Sequence, residues 1–191
     1  SGNLSGIICV LAASLLSLQV PFLPVHLLFI NLVTDSLPAI AIGMEHSTRD
    51  ILKEKPRDPS VGILTPATMK QLGVQGILIA IVTMSAYFLG LKESWEIATT
   101  MAFSTLCLSR LFHGFNCRSQ RSLYRIGLFT NKYSILAFII GFCFLNAILL
   151  WQPLHSLFSV TTITMTQLFT IYGLAFLPTL LIQAGRMLRH R

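Results

Sequence analysis

Charge is what this sequence has least of. Of its 191 residues only 11% are Asp, Glu, Lys or Arg, and only seven are acidic, whereas an ordinary soluble domain carries about a quarter charged residues. That shortage argues against a water-soluble globular enzyme. Four cysteines, Cys9, Cys107, Cys117 and Cys143, lie in apolar segments without a Cys-x-x-Cys pair, so neither a disulfide framework nor a zinc site is indicated. They read as small buried hydrophobes. No Met, charged flank or signal-peptide n-region precedes the first apolar run, and the helix it forms is expected to continue upstream of Ser1. The net charge of +7 does not indicate nucleic acid, because the basic residues sit between apolar runs instead of forming a stripe on a soluble fold.

What the sequence has in abundance is apolar length. Hydrophobic residues make up 53% of the chain and the mean hydropathy is +0.71. They fall in runs of roughly 17 to 22 residues, each able to cross a ~30 Å hydrocarbon core as a helix. The expected fold is an all-α polytopic membrane bundle of six transmembrane helices, with spans near 1–20, 22–43, 71–91, 97–117, 133–151 and 164–185. Pro21 and Pro24 break the first hairpin, Trp95 and Trp151 sit where aromatic belts form, and Asn131 with Lys132 marks a polar entry to the fifth span. Of the 14 Lys and Arg, 12 fall in the 44–70 loop, the 118–132 loop and the tail. The positive-inside rule then places those segments and both termini in the cytoplasm.

Most polar residues in the spans are Ser and Thr, which can return their hydroxyl to a backbone carbonyl. Asp35 is different, because a carboxylate at membrane depth costs at least a few kcal/mol and persists only with a partner or an ion. It stands in Asn31-Leu32-Val33-Thr34-Asp35-Ser36-Leu37-Pro38. Asn31, Thr34 and Asp35 fall at i, i+3 and i+4, so one helical face presents an amide oxygen, a hydroxyl and a carboxylate, all hard oxygen ligands. Pro38 cannot donate the backbone bond that would reach Thr34, which frees a carbonyl beside Asp35. Broken membrane helices with freed carbonyls are a recurring way to bind cations; the alternative is a polar cluster that joins helices. Asn3, with Gly2 and Gly6, reads first as a small-residue packing motif. Arg110 either snorkels to the interface or turns inward and pairs with a carboxylate. His113 reads as a packing or interfacial histidine, with only Cys117 near it at a possible ligand spacing.

Asn31 to Ala39, followed by Gly43 and by Asp50-Ile51-Leu52-Lys53-Glu54-Lys55-Pro56-Arg57, resembles the sixth transmembrane helix and following cytoplasmic loop of calcium-transporting P-type ATPases. Thr99 to Ser104 is similar to the start of that family's eighth helix. Pro153-Leu154 and Thr166-Gln167 resemble the approach to its tenth. The resemblance covers essentially the whole chain, as the region from the middle of the fifth helix to the end of the tenth. It implies that Asn31, Thr34 and Asp35 are side-chain ligands of a transported Ca²⁺, and that Asn3, 28 residues before Asn31, matches an Asn of the fifth helix that helps form a first ion site. It implies further that the remaining carboxylate of the retained site comes from the fourth helix, and that the first transmembrane helices and the actuator, phosphorylation and nucleotide-binding domains of the same pump are its partners, with ATP and Mg²⁺ acting only in the full-length pump. The phosphorylation motif Asp-Lys-Thr-Gly-Thr does not occur in these residues, so this segment alone is not expected to hydrolyse ATP.

Two departures bear on stoichiometry. Where two-ion members of the family carry a Glu three residues after the fifth-helix Asn, this chain has Gly6, and where they carry an eighth-helix Glu it has Arg110. The resemblance then implies one Ca²⁺ per cycle, as in the plasma-membrane branch, with Arg110 a tethered cation in the vacated site. The family's Asp-Gly step is Asp35-Ser36 here, which leaves local unwinding to Pro38. Two other readings stay open at this point: a free-standing, non-catalytic six-span membrane protein, and a pump for Mn²⁺, Na⁺ or H⁺, since these oxygens choose weakly between hard cations. The 44–70 loop is read as either a contact with the phosphorylation domain or a solvated connector.

Overall fold

A computed structural model describes residues 1–45, 65–119 and 122–189. The expected contact of the 44–70 loop with a phosphorylation domain falls largely on 46–64, outside the described residues. Among the described residues the structure is helical throughout, with no strand. Six longer helices appear in chain order: α1 (Gly2–Leu15), α2 (Pro24–Gly43), α3 (Pro66–Leu91), α4 (Trp95–Cys117), α5 (Lys132–Leu150) and α6 (Met165–Arg189).

Local chemistry sets the helix ends. Thr65, Ser94 and Asn131 are N-caps whose side-chain oxygens accept from the backbone N–H of Thr68, Ile97 and Ser134 at 3.3, 3.2 and 3.0 Å, which satisfies one orphan donor at each start. Pro24 and Pro66 occupy first-turn positions where the missing N–H costs nothing. Helix α1 stops earlier than the sequence led us to expect. Ser17 adopts φ 55°, and the amides of Ser17 and Leu18 donate back to the carbonyls of Ser14 and Ala13 at 3.1 and 2.9 Å, a Schellman ending.

Four of the six expected spans, α2, α3, α5 and α6, are helices long and apolar enough to cross a membrane. The other two differ, each for a physical reason. Helix α1 is apolar but has 14 residues, short of the ~20 a span needs. Helix α4 has 23 residues but carries Thr99, Thr100, Ser104, Thr105, Ser109 and Arg110 along its middle. Every residue from 98 to 111 is buried. A helix enclosed by protein on all sides meets no lipid, so its composition is free of the apolar requirement that the outer helices obey.

Helix α4 is therefore the axis of the bundle, with α1, α2, α3, α5 and α6 around it. Between lipid-exposed helices water expulsion offers little driving force, and close packing of small residues and interhelical hydrogen bonds take its place. The α3–α4 hairpin shows the first: a Cβ on Gly90 would stand 2.5 Å from the Ala98 Cα. Gly141 of α5 likewise lets Leu111 of α4 in, its added Cβ falling 2.7 Å from Leu111 Cδ2. Outward side chains such as Leu28, Leu32, Ile81, Leu136 and Phe169 are exposed and apolar, as lipid-facing positions must be.

Helix α2 is not uniform. Ile30–Asp35 forms a π-helical turn between α-helical halves Pro24–Phe29 and Ser36–Gly43. The sequence predicted unwinding driven by Pro38; the structure answers with a widened turn in a continuous helix. Pro38, which cannot supply the amide that an α-helix would send to Thr34, stands in the α-helical half that follows the turn. π-turns are frequent at functional sites.

Candidate functional site

Three helices meet at Arg110. Its Nη1 donates to Asp35 Oδ2 at 2.7 Å and to Asn3 Oδ1 at 3.2 Å, and its Nη2 donates to the Gly2 carbonyl. One guanidinium of α4 thus joins the π-turn of α2 to the first turn of α1. Of the two readings open for Arg110, the structure takes the inward one: its side chain is 5% exposed and that of Asp35 33%.

The neighbouring sequence makes room for it. Gly2 and Gly6 face the guanidinium, where an added Cβ would lie 3.4 Å from Cζ and 3.5 Å from Nη2. The small-residue motif expected to pack two helices closely instead admits a cation between them. Among the described residues Arg110 Nε is buried without a partner, as are the hydroxyls of Thr105 and Ser109, so this part of the core keeps unused polar capacity.

The expected ligands are only partly assembled. Asp35 and Asn3 share the Arg110 Nη1. Thr34 is buried one residue away, with its hydroxyl donating to the Ile30 carbonyl at 2.8 Å. Asn31 is exposed, and its backbone carbonyl accepts from Ser36 Oγ at 2.8 Å. The hydroxyls of Thr34 and Ser36 therefore tie the π-turn together from inside and outside, and the face expected to carry Asn31, Thr34 and Asp35 together is split in exposure. Among the described residues no three His, Cys, Asp or Glu side chains converge as metal ligands. The chemistry on offer is one carboxylate with amide, hydroxyl and carbonyl oxygens, which suits a hard cation and not a soft one.

Two further polar clusters escaped the reading of the sequence. One runs from α1 to α6: Ser1 Oγ bonds His113 Nε2 at 2.8 Å, and Asn116 Nδ2 donates to Thr179 Oγ1 at 3.3 Å. Gln183 Nε2 donates to Asn116 Oδ1 at 2.6 Å, and Arg186 Nη1 to the Asn116 and Ser119 carbonyls at 2.9 and 2.8 Å. The other is an ion pair, Arg118 to Glu45, with Nε–Oε2 at 2.9 Å and Nη2–Oε1 at 2.7 Å. Arg118 also donates to the Leu128 carbonyl at 3.0 Å, and Asn131 Nδ2 to Glu45 Oε2 at 2.5 Å. This cluster fastens the end of α2 to the start of α5. Periodic polar residues at 113, 116, 179, 183 and 186 were the available signal.

Comparison with known proteins places residues 19–188 in the family described as cation transporting ATPase, C-terminus. A calcium-transporting ATPase of Bacillus subtilis is 34% identical over 194 aligned positions, covering 100% of this chain and 22% of that protein. A calcium-transporting ATPase of Listeria monocytogenes is 43% identical over 143, covering 74% of this chain and 16% of its own length. The mouse calcium-transporting ATPase type 2C member 1 is 26% identical over 180, covering 91% of this chain and 19% of that protein. The chain thus spans about a fifth of the length of such relatives and corresponds to their C-terminal part.

Proposed function

The chain belongs to the cation-transporting ATPase family as part of its C-terminal membrane region, and from that premise we propose that it forms part of the ion path of an ATP-driven Ca²⁺ pump. Its apolar helices are those of an integral membrane protein. In this reading all six longer helices lie in the bilayer of the cell membrane, with the 118–132 loop and the tail on the cytoplasmic side. The first four helices and the actuator, phosphorylation and nucleotide-binding domains of the same pump complete it. ATP and Mg²⁺ act there, and Ca²⁺ is cargo.

The observation that carries the reading is the Arg110 guanidinium between Asn3 and Asp35. Unit charges 4 Å apart at an effective dielectric of 20 interact by about 4 kcal/mol, so a divalent ion that close to Arg110 is repelled by roughly 8 kcal/mol. A Ca²⁺ between α1 and α4 is thereby disfavoured, and in this reading a single ion binds at Asp35, whose side chain is one-third exposed, with Thr34 and Asn31 of the same turn as its further ligands. Transport of one Ca²⁺ per cycle follows, with Arg110 filling the other position as a permanent cation.

The test is the ratio of Ca²⁺ moved to ATP hydrolysed by the full-length protein in sealed proteoliposomes. The expected ratio is about 1. A ratio of 2, or accumulation of Mn²⁺ or Na⁺ with Ca²⁺ excluded, overturns the reading. Arg110→Glu removes the fixed cation and supplies a carboxylate, and is expected to alter the ratio or the ion affinity; transport unchanged in both contradicts the role given to Arg110.

A further inference from the structure

A buried histidine ties the Pro24–Phe29 half of α2 to two other parts of the bundle. His26 is fully enclosed, and its ring stacks on Phe103 of α4 with centroids 4.4 Å apart and planes inclined by 18°. Its two nitrogens bind different segments. The Leu23 amide donates to Nδ1 at 3.2 Å, within the first turn of α2, and Nε2 lies 2.9 Å from the Phe158 carbonyl in the connection between α5 and α6. That carbonyl closes the short helix His155–Phe158, which Ser159 ends at φ 51°, and the last carbonyls of a helix have no partner within it. Phe29 adds edge contacts to Phe103 and Phe158, with centroids at 5.6 and 5.7 Å.

The partners fix where the ring carries its hydrogen. An amide only donates, so Nδ1 is bare; a carbonyl only accepts, so Nε2 is protonated. The neutral Nε2–H tautomer satisfies both bonds. Imidazolium carries a hydrogen on each nitrogen, which sets Nδ1 against the Leu23 amide donor to donor. From this geometry we propose that His26 is a proton-operated latch: protonation breaks the Leu23 bond and frees the Pro24–Phe29 half of α2, and with it the turn that carries Asp35, from α4 and Phe158.

The ionisable groups on the surrounding elements are otherwise engaged or stand apart from the ring. Asp35 follows nine residues along α2, about 13 Å of helix, and pairs with Arg110. Glu96 of α4 is two turns from Phe103 and exposed. His155, in the α5–α6 connection, has Nε2 3.1 Å from the Leu149 carbonyl. The turn between α1 and α2, residues 16–23, carries none. A charged ring among Phe29, Phe103 and Phe158 is costly without a paired anion, so the proton is accommodated by opening. In the orientation proposed above this end of the bundle faces away from the cytoplasm, and the latch senses the pH of that side. The side rests on that reading; the latch does not depend on which ion is moved.

Hydrogen–deuterium exchange of the full-length protein in detergent tests it, read in the first turn of α2 from Leu23 to Leu27. Exchange is compared at about pH 7.5 and about pH 5.5, either side of the imidazole range, with rates corrected for the intrinsic effect of pH. The expected result is corrected exchange about tenfold faster in acid, the loss of one hydrogen bond. His26→Gln offers an oxygen to Leu23 and an N–H to Phe158 but takes up no proton, so exchange is expected to stay slow at both pH values. His26→Phe keeps the stack on Phe103 and loses both bonds, so exchange is expected to be fast at both. Equal corrected exchange of the wild type at the two pH values overturns the proposal, as does a pH effect of the same size in either variant. The His26→Phe comparison decides it even if His26→Gln fails to fold. None of these readouts involves Ca²⁺ or ATP, so a transport ratio of about 2 would leave the latch standing, and a pH-insensitive first turn would leave the ratio untouched.

Discussion

Removing the Arg110–Asp35 pair from its two sides is expected to cost different amounts, and the difference follows from burial. The bond is 2.7 Å long, with the arginine side chain 5% exposed and the aspartate 33%. Breaking a buried pair from one side costs about 3–5 kcal/mol, mostly as the penalty of an uncompensated charge. Asp35→Asn leaves the enclosed guanidinium with only Asn3 and the Gly2 carbonyl, so the loss should approach that range, about 3–4 kcal/mol. Arg110→Met leaves a carboxylate that is less enclosed than the guanidinium, so a smaller loss of about 1–2 kcal/mol is expected. The double variant leaves no stranded charge and should lose little more than Arg110→Met alone, a coupling of about 2–3 kcal/mol. Equilibrium unfolding of the full-length protein in detergent by SDS titration measures all four forms, with a chelator present so that no cation substitutes for Arg110. Single losses that add to within about 0.5 kcal/mol, or a larger loss from Arg110→Met than from Asp35→Asn, would refute the reasoning.

Two other perturbations probe the frame around that pair. Gly90→Ala puts a Cβ 2.5 Å from the Ala98 Cα, a backbone atom that cannot swing aside, and should destabilise the α3–α4 hairpin by about 1–3 kcal/mol in the same titration; an unchanged midpoint would mean the helices separate freely. Glu45→Gln removes the charge facing Arg118, whose side chain is fully buried, and should cost about 2–4 kcal/mol. Most of that loss should return in Glu45→Gln combined with Arg118→Gln, and a double variant weaker than both singles would show that Arg118 acts mainly through the Leu128 carbonyl and Thr130.

Where the sequence could be read, the signal was local. Asn131 with Lys132 marks the start of α5, where the structure places the N-cap, because an N-cap acts on amides two or three positions away; Thr65 and Ser94 carry the same signal for α3 and α4, which the expected spans did not use. The early start of α3 was missed since Lys70 and Gln71 dilute its first turns, where the hydrocarbon ends. Asp35 could be singled out by the cost of its burial, and Pro38 by the amide it lacks. Their consequences were less legible: a missing hydrogen bond says that a helix must deviate, but not whether it unwinds or widens into the π-turn of Ile30–Asp35.

The hardest features to read were those decided by partners distant in the chain. The sequence marked 97–117 as one span among six, but hydropathy treats each helix as though lipid surrounded it and could not show that α4 is the enclosed one, its Thr, Ser and Arg residues shielded by the neighbouring helices. The same logic explains Arg110. A guanidinium in an apolar run has two inexpensive outcomes, the interface or a carboxylate, and the choice depends on whether an anion 75 positions earlier arrives at the same depth. Gly2 and Gly6 were visible as space, but space for a helix and space for a guanidinium look alike until the third helix is placed. Polar residues within a membrane bundle thus announce themselves singly, through what they would cost in lipid, while their pairing is set by topology. In this chain the topology brings one carboxylate and one permanent cation together inside the bundle, and the energetic asymmetry between those two groups is what the Asp35 and Arg110 substitutions measure.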